Sequence, residues 1–207
     1  MRPLLPEGGD ADAILGRLRA YALALLEWNH GVSNLISRHD EPRLVERHLF
    51  ESLWPARRLA ESGCRTFVDL GSGAGLPAIP LALAGVGSRW ALVESRRNKT
   101  LFISKVIQDN ALTDIEVMNS RLETLVEERP FDLECDGFTS RATMAIGPTL
   151  ALAGKLVRSG GRAFLWKGSS HESERLQAEK QWTQDWDFES ASPLPSGQTS
   201  ICIFIRK

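Results

Sequence analysis

The sequence predicts an α/β fold: a seven-stranded, mostly parallel sheet with helices on both faces, an N-terminal helical extension and a C-terminal antiparallel hairpin. Three observations carry this. From Thr66 onward, short apolar runs alternate with stretches of helical spacing, the pattern of a parallel sheet covered on both faces. The apolar run Phe67-Val68-Asp69-Leu70 breaks directly into Gly71-Ser72-Gly73-Ala74-Gly75-Leu76, where glycines let the backbone turn tightly and approach a ligand. Two final apolar runs flank Pro193-Leu194-Pro195-Ser196-Gly197, a hairpin signal. With 207 residues, 43% of them hydrophobic, the chain can bury a full core as one compact unit. Residues 1–63 form the extension and 64–207 the core.

The elements follow in order. Ile14, Leu18, Tyr21, Leu25 and Trp28 give residues 10–29 one apolar helical face. Gly31, Ser33 and Asn34 then stop that helix in an ordered loop. A second helix starts near Asp40, with Pro42 in its first turn, carries Leu44, Val45, His48, Leu49 and Leu53, is kinked or restarted by Pro55 and stops at Gly63. After the first strand a helix starts at Leu76-Pro77. Strand two is Trp90–Val93, ending at Glu94; the next helix carries Leu101, Phe102, Val106 and Ile107; strand three is Ile115–Met118. The segment Phe131–Asp136 is acidic for a strand entry, and strand four runs from about Gly137 to Ser140. A helix from Ile146 to Val157 leads through Gly160-Gly161 to strand five, Ala163–Trp166, which ends in Lys167-Gly168. A polar helix over Glu172–Trp182 precedes the hairpin strands, 186–191 and 200–206.

A formal net charge of −1 gives no general affinity for nucleic acid, so any RNA contact must come from a local basic patch. Cys64, Cys135 and Cys202 show no paired spacing, which argues against a zinc site or disulfide framework and reads as buried thiols in a reducing compartment. The start Met1–Glu7 has no apolar targeting region, and Tyr21–Leu26 is far too short to span a bilayer. A cytoplasmic protein without membrane or metal partners is expected.

The glycines fall at every second position. A dinucleotide loop wants its third glycine three residues after the second, and position 76 is Leu, so a nicotinamide oxidoreductase is disfavoured. Asp69 followed by Gly-x-Gly-x-Gly resembles the cofactor loop of S-adenosylmethionine (AdoMet) methyltransferases, with backbone N–H groups for the methionine part and carboxylates for its ammonium. Glu94 follows Gly75 by 19 residues, near the spacing at which an acid meets ribose hydroxyls. Asn119-Ser120-Arg121-Leu122-Glu123 follows strand three on the same edge, where adenine would lie; Ser120 and Glu123 could equally form a capping box. Arg141 and Lys167 end strands four and five and should flank a substrate mouth, because unpaired cations at adjacent strand ends repel without an anion. The strand-four end, Thr139-Ser140-Arg141-Ala142, lacks the Asn/Asp-Pro-Pro-aromatic pattern of amino-group methylation. Carbon-5 pyrimidine chemistry needs a cysteine nucleophile, and Cys135 is at the wrong end of its strand. Guanine N7 has an exposed lone pair and no proton to lose, so it needs positioning alone.

The chain resembles the glucose-inhibited division protein B family, guanine-N7 methyltransferases of bacterial 16S ribosomal RNA, from Leu26 to the C-terminus. The matching pieces are Trp28-Asn29, Asn34-Leu35, Arg47-His48 with Ser52-Leu53, Asp69 through Pro80, Val93-Glu94-Ser95, Ser120-Arg121 with Glu123, Ser140-Arg141-Ala142 and Lys167-Gly168. The resemblance implies a class I, Rossmann-like AdoMet methyltransferase. Asp69, Gly71, Ser72, Gly73, Gly75, Leu76, Glu94, Leu122, Glu123 and Arg141 are the expected cofactor residues. Lys167, Arg141, Asn34 and His48 are expected at the chemistry, and Arg47, Arg96, Arg97, Lys99, Arg121 and Lys167 on the RNA. The implied partner is 16S RNA or the assembling small subunit, met by a monomer. The spacing from Trp-Asn to Asn-Leu is one residue longer than the family's, Ile36-Ser37 replaces its Thr, Glu51 stands where Asp is usual, and Ala78 replaces a glycine. Two alternatives are a methyltransferase of small molecules and a non-catalytic RNA-assembly factor.

Overall fold

In a computed structural model, residues 1–128, 134–141 and 143–207 are described; the first part of the acidic strand entry, Phe131 to Leu133, and Ala142 of the strand-four motif lie outside them. Helix α1 (Ala11–Gly31) is capped by Asp10, whose side chain accepts from the amides of Asp12 and Ala13, satisfying two of the donors a helix start leaves free. The second helical segment is not one regular helix. It opens as a 3-10 turn (Glu41–Arg43), widens into a π-helical turn (Leu44–Phe50), tightens into α2 (Glu51–Leu53) and restarts after Pro55 as α3 (Ala56–Glu61). The restart is where proline cannot continue the ladder. The Arg47 carbonyl of the wide turn accepts from Arg141, while the His48 carbonyl is held by Glu51 N and the Ser52 hydroxyl.

The core alternates β1 (Thr66–Leu70), α4 (Ala78–Leu83), β2 (Arg89–Val93), α5 (Arg97–Asp109), β3 (Ile115–Met118), α6 (Leu122–Glu128), β4 (Cys135–Arg141), α7 (Ile146–Ala153) and β5 (Val157–Gly168). Two short helices, α8 (His171–Gln177) and α9 (Glu179–Trp182), replace the single polar helix expected, and β6 (Trp186–Pro193) and β7 (Thr199–Arg206) form the hairpin. The seven strands run in the order β3-β2-β1-β4-β5-β7-β6; the first five are parallel, and β7 is antiparallel to β5 and β6. The order reverses between β1 and β4, the switch point at which open sheets leave a crevice. Helix α7 stops short of the expected Val157 because that residue already pairs with Cys135 in β5. Gly160-Gly161 is a bulge inside β5, not a linker: Gly160 has φ +79°, and a side chain on Gly161 would strike the Asp136 carbonyl.

Alternation along each strand sends successive side chains to opposite faces. Phe67, Trp90, Leu92, Phe164, Trp166 and Ile203 pack with α1, α3, α4 and α5. Val68, Val93, Phe138, Leu165, Cys202 and Phe204 pack with α6, α7 and α9. Residues of the extension thus share a core with β1, β2 and β5. All three cysteines are free and buried. No helix among the described residues is long and apolar enough to cross a membrane, and no cluster of three or more His, Cys, Asp or Glu among them is arranged for a metal ion.

Candidate active site

Two cavities open at the carboxyl edge of the sheet, sharing Thr143 and Met144. The smaller, about 420 Å³, lies over β1, β2 and β3 and is lined by Gly71, Glu94, Ser95, Arg96, Lys99, Ser120, Arg121, Leu122 and Glu123, among others. The larger, about 880 Å³, lies over β4 and β5 between the π-helical turn and the hairpin.

The glycine loop meets the smaller cleft at Gly71. Gly71, Gly73 and Gly75 have φ of +67°, +59° and +87°, a region that penalises any side chain. Gly71 has a second reason: a Cβ there would strike the Thr143 methyl. Two side chains hold the loop. Tyr21 of α1 donates its hydroxyl to the Ala74 carbonyl at 2.7 Å, and Glu94 accepts from Gly73 N at 2.9 Å and from Arg96 N at 2.8 Å. Glu94 was expected to serve ribose hydroxyls; it also pins the loop to the β2–α5 turn, and each carboxylate oxygen keeps a further lone pair. Asp69 is fully buried. One of its oxygens accepts from the Thr139 hydroxyl at 2.6 Å and the other, Oδ2, has no partner. Burial pushes this carboxyl up to about 7, against the pull of the Thr139 hydroxyl. The loop amides of Gly71, Ser72, Gly73, Gly75 and Leu76 are already spent within the chain; an unsatisfied buried carboxyl oxygen and a ribose-type acid at the cleft are the acceptors that the ammonium and ribose of AdoMet require, so the residues fit that cofactor. Asn119 ties β3 to β2 by donating to the Glu94 and Ser95 carbonyls. The Ser120 hydroxyl donates to the Arg121 carbonyl.

The larger cavity is lined by Arg47, His48, Arg141, Trp166, Lys167, Glu174 and the Gly197–Thr199 turn, among others. The expectation that Arg141 and Lys167 stand unpaired is corrected. Arg141 donates to Glu51 Oε2 at 2.8 Å and to the Arg47 carbonyl at 2.9 Å, with weaker reach to the His48 carbonyl and Ser52. Glu51 is 1% exposed, and its own carbonyl accepts from Trp166 Nε1 at 3.0 Å. Lys167 donates to the Met144 carbonyl at 2.7 Å and pairs with Glu174 at 2.7 Å. Burial opposes ionisation of Glu174, but the Lys167 ammonium holds its carboxyl below the usual range. The Arg141–Glu51 pair closes across 90 residues of chain, a distance no local spacing reveals, whereas Glu174 stands on α8, the helix that directly follows Lys167's strand. His48 Nε2 is buried without a partner, and burial, reinforced by the Arg141 charge, lowers the imidazole to about 4.

The remaining expected residues separate. Arg96, Lys99 and Arg121 line the cofactor-side cleft, Arg97 starts α5 on the surface, and Ser72 is buried beneath the loop with Leu76. Asn34 is exposed and lines neither cavity. The asparagine that shapes this loop is Asn29, buried, which accepts from Leu35 N and Ile36 N and donates to Glu41. Sequence reasoning missed Asn29, Thr143 and Met144; the helix-ending Trp28-Asn29 pair was the only signal for the first. Cys135 opens β4 at the far edge from Arg141, and burial raises its thiol far above the ordinary range, leaving it without a nucleophile's role.

Residues 14–199 match the family model described as rRNA small subunit methyltransferase G. A Paramagnetospirillum magneticum protein named Ribosomal RNA small subunit methyltransferase G is 34% identical over 93% of this chain and 87% of its own length. One of the same name from Pseudomonas aeruginosa is 32% identical over 95% of this chain and 88% of its own. Among solved structures, a 16S rRNA N2 methyltransferase of T. thermophilus in complex with AdoMet and guanosine aligns with TM-score 0.56 at 20% identity, over 77% of this chain and 42% of that one. Aeropyrum pernix fibrillarin with bound S-adenosyl-L-methionine also aligns with TM-score 0.56, at 13% identity, over 69% of this chain and 66% of that one. These two likenesses show the class I methyltransferase fold. The sequence match over nearly the whole chain goes further: this protein belongs to the GidB family of small-subunit ribosomal RNA methyltransferases.

Proposed function

We propose that this protein uses AdoMet to methylate N7 of one guanosine in 16S ribosomal RNA, acting in the cytoplasm as a monomer on the RNA or the assembling small subunit. Residues 64–207 carry the cofactor and residues 1–63 complete the target cavity, the two working as one unit. The cofactor supplies a methyl group on a sulfonium. Asp69 and the glycine loop hold its amino-acid part, Glu94 its ribose, and Leu122 and Glu123 its base.

The observation that carries the N7 assignment is the absence of a competent base among the described residues lining the larger cavity. Its carboxylate Glu174 is bound to Lys167, and His48, with its pKa near 4, accepts protons poorly. An exocyclic amino group must lose a proton on methylation; N7 loses none. The purine becomes positive as the methyl arrives, so a bare cation beside it would oppose the transition state. Pairing of Arg141 with Glu51 and of Lys167 with Glu174 removes that opposition while leaving N–H donors for guanine O6 or phosphate. A small-molecule enzyme would favour a lidded apolar pocket over this open, cationic mouth.

Primer extension across small-subunit RNA from cells with and without the gene should reveal one 7-methylguanosine that depends on it; no difference would sink the assignment. Lys167→Ala should leave AdoMet affinity unchanged by calorimetry while lowering turnover about tenfold, as expected for one lost charge-assisted contact. Failure of the wild type to bind AdoMet would favour the assembly-factor alternative.

A further inference from the structure

Beside the target cavity lies a third depression of about 350 Å³, lined by Arg43, Val45, Glu46, Arg47, Phe50, Pro195 and Ser196. Arg47 lines both it and the target cavity, and the hairpin turn continues from Pro195-Ser196 in one to Gly197–Thr199 in the other. The two are adjacent along one rim. Val45 is 55% exposed, although the π-helical turn that bears it buries Leu44 and Leu49 on its inner side. The Phe50 ring packs against Trp54, itself 41% exposed, at a centroid distance of 5.6 Å. Flat apolar surface interleaved with arginines at a cavity mouth is the composition that holds single-stranded nucleic acid, arginines on phosphates and rings or proline on a base face.

We propose that this groove binds the ribosomal RNA nucleotide next to the target guanosine, with its base against Phe50, Val45 and Pro195 and its phosphates at Arg43 and Arg47. This rests on the function proposed above and sharpens it. A base that enters the cavity leaves its backbone at the mouth, and the chain on one side must then cross the rim formed by the π-helical turn and the hairpin. Arg96, Lys99 and Arg121, expected from the sequence on the RNA, line the smaller cleft instead; among the described residues, Arg47 and the buried Arg141 are the arginines lining the target cavity, with Arg43 beside them in the groove. One carboxylate, Glu46, also lines the groove, and Arg47 is paired with Asp40 at 2.9 Å; two arginines are thus matched by two acids, and the phosphate contact falls first to Arg43, which makes no ion pair with another described residue.

The test uses the full-length protein and small subunits from cells lacking the gene. Methyl transfer by the wild type to guanine N7 is measured first; its absence overturns the function and this groove together. With transfer established, Arg43→Glu and Val45→Glu, both surface changes, should each raise the KM for the subunit about tenfold, the scale of one lost phosphate or stacking contact. Both should leave AdoMet affinity within twofold by calorimetry. In the same subunits, p-benzoylphenylalanine placed at position 45 should photocrosslink to RNA within a few nucleotides of the methylated guanosine. Unchanged KM in both variants, or a crosslink to a ribosomal protein alone, overturns the groove and leaves the methyltransferase reading standing. A loss of AdoMet affinity in step with the KM change would overturn it as well, because the substitutions would then act through the fold.

Discussion

The half of the carboxyl edge proposed for the cofactor and the half proposed for the target are built from different materials. Over β1 to β3 the site is mostly backbone: three left-handed glycines, amides tied down by Glu94, and a buried carboxyl with one oxygen to spare. Over β4 and β5 it is mostly long side chains, and each cation is settled by a carboxylate, Arg141 by Glu51 of the N-terminal extension and Lys167 by Glu174 of the helix that follows its own strand. A backbone site changes little with sequence around it and suits a cofactor of fixed shape. A site of paired side chains is held by tertiary contacts, so its geometry depends on the docking of the N-terminal extension.

The strongest way to break this contrast is Glu51→Ala. It leaves the Arg141 guanidinium buried without its counter-ion, which should cost about 3–5 kcal/mol of stability, read as a drop in the urea midpoint, whereas Glu51→Gln keeps a hydrogen-bond acceptor and should lose less. An alanine variant as stable as wild type would mean that the extension is not held through this pair.

Stability against pH should separate the halves by sign. His48 has its folded pKa lowered to about 4 from 6.5, so the unfolded chain takes up a proton first and stability is lost as pH falls from about 6.5 towards 4. Asp69 has its folded pKa raised to about 7 from 3.8, so the folded chain holds the proton and stability is lost as pH rises from about 4 to 7. With solvent screening of the partly exposed imidazole, the His48 contribution is about 2 kcal/mol. Denaturation midpoints of His48→Gln should therefore fall less on acidification than those of wild type, and Asp69→Asn should decline less towards neutrality. Parallel profiles for wild type and both variants would show that neither group is perturbed by folding.

The smallest expected effect is also the most selective. Glu94→Ala should weaken AdoMet at least tenfold, about 1.4 kcal/mol, by removing a ribose acceptor and freeing the Gly73 amide, with little change in the target half; calorimetric affinity equal to wild type would take Glu94 out of the site.

The same division governs what was readable in advance. Asp69, the three glycines and Glu94 fall within 26 residues of chain and follow from strand-end chemistry that needs only local spacing. The polar pieces that place Arg141 do not: the wide turn at Leu44–Phe50 carries no breaker residue, and Glu51 reads as an ordinary helical acid until it is found 1% exposed. Asn34 drew notice as part of a motif, yet Asn29, at the buried end of α1, holds the loop.

By itself the sequence determined the α/β class, the parallel core with its closing hairpin and the glycine loop after the first strand, because hydrophobic period and glycine placement act over a few residues. Only the tertiary structure decided which charges are paired, that Arg96 and Lys99 line the cofactor cleft, and that the extension walls the target cavity. The last of these and the Arg141–Glu51 pair depend on groups brought together from about 90 or more residues apart, where burial sets the worth of a charge and spacing says nothing.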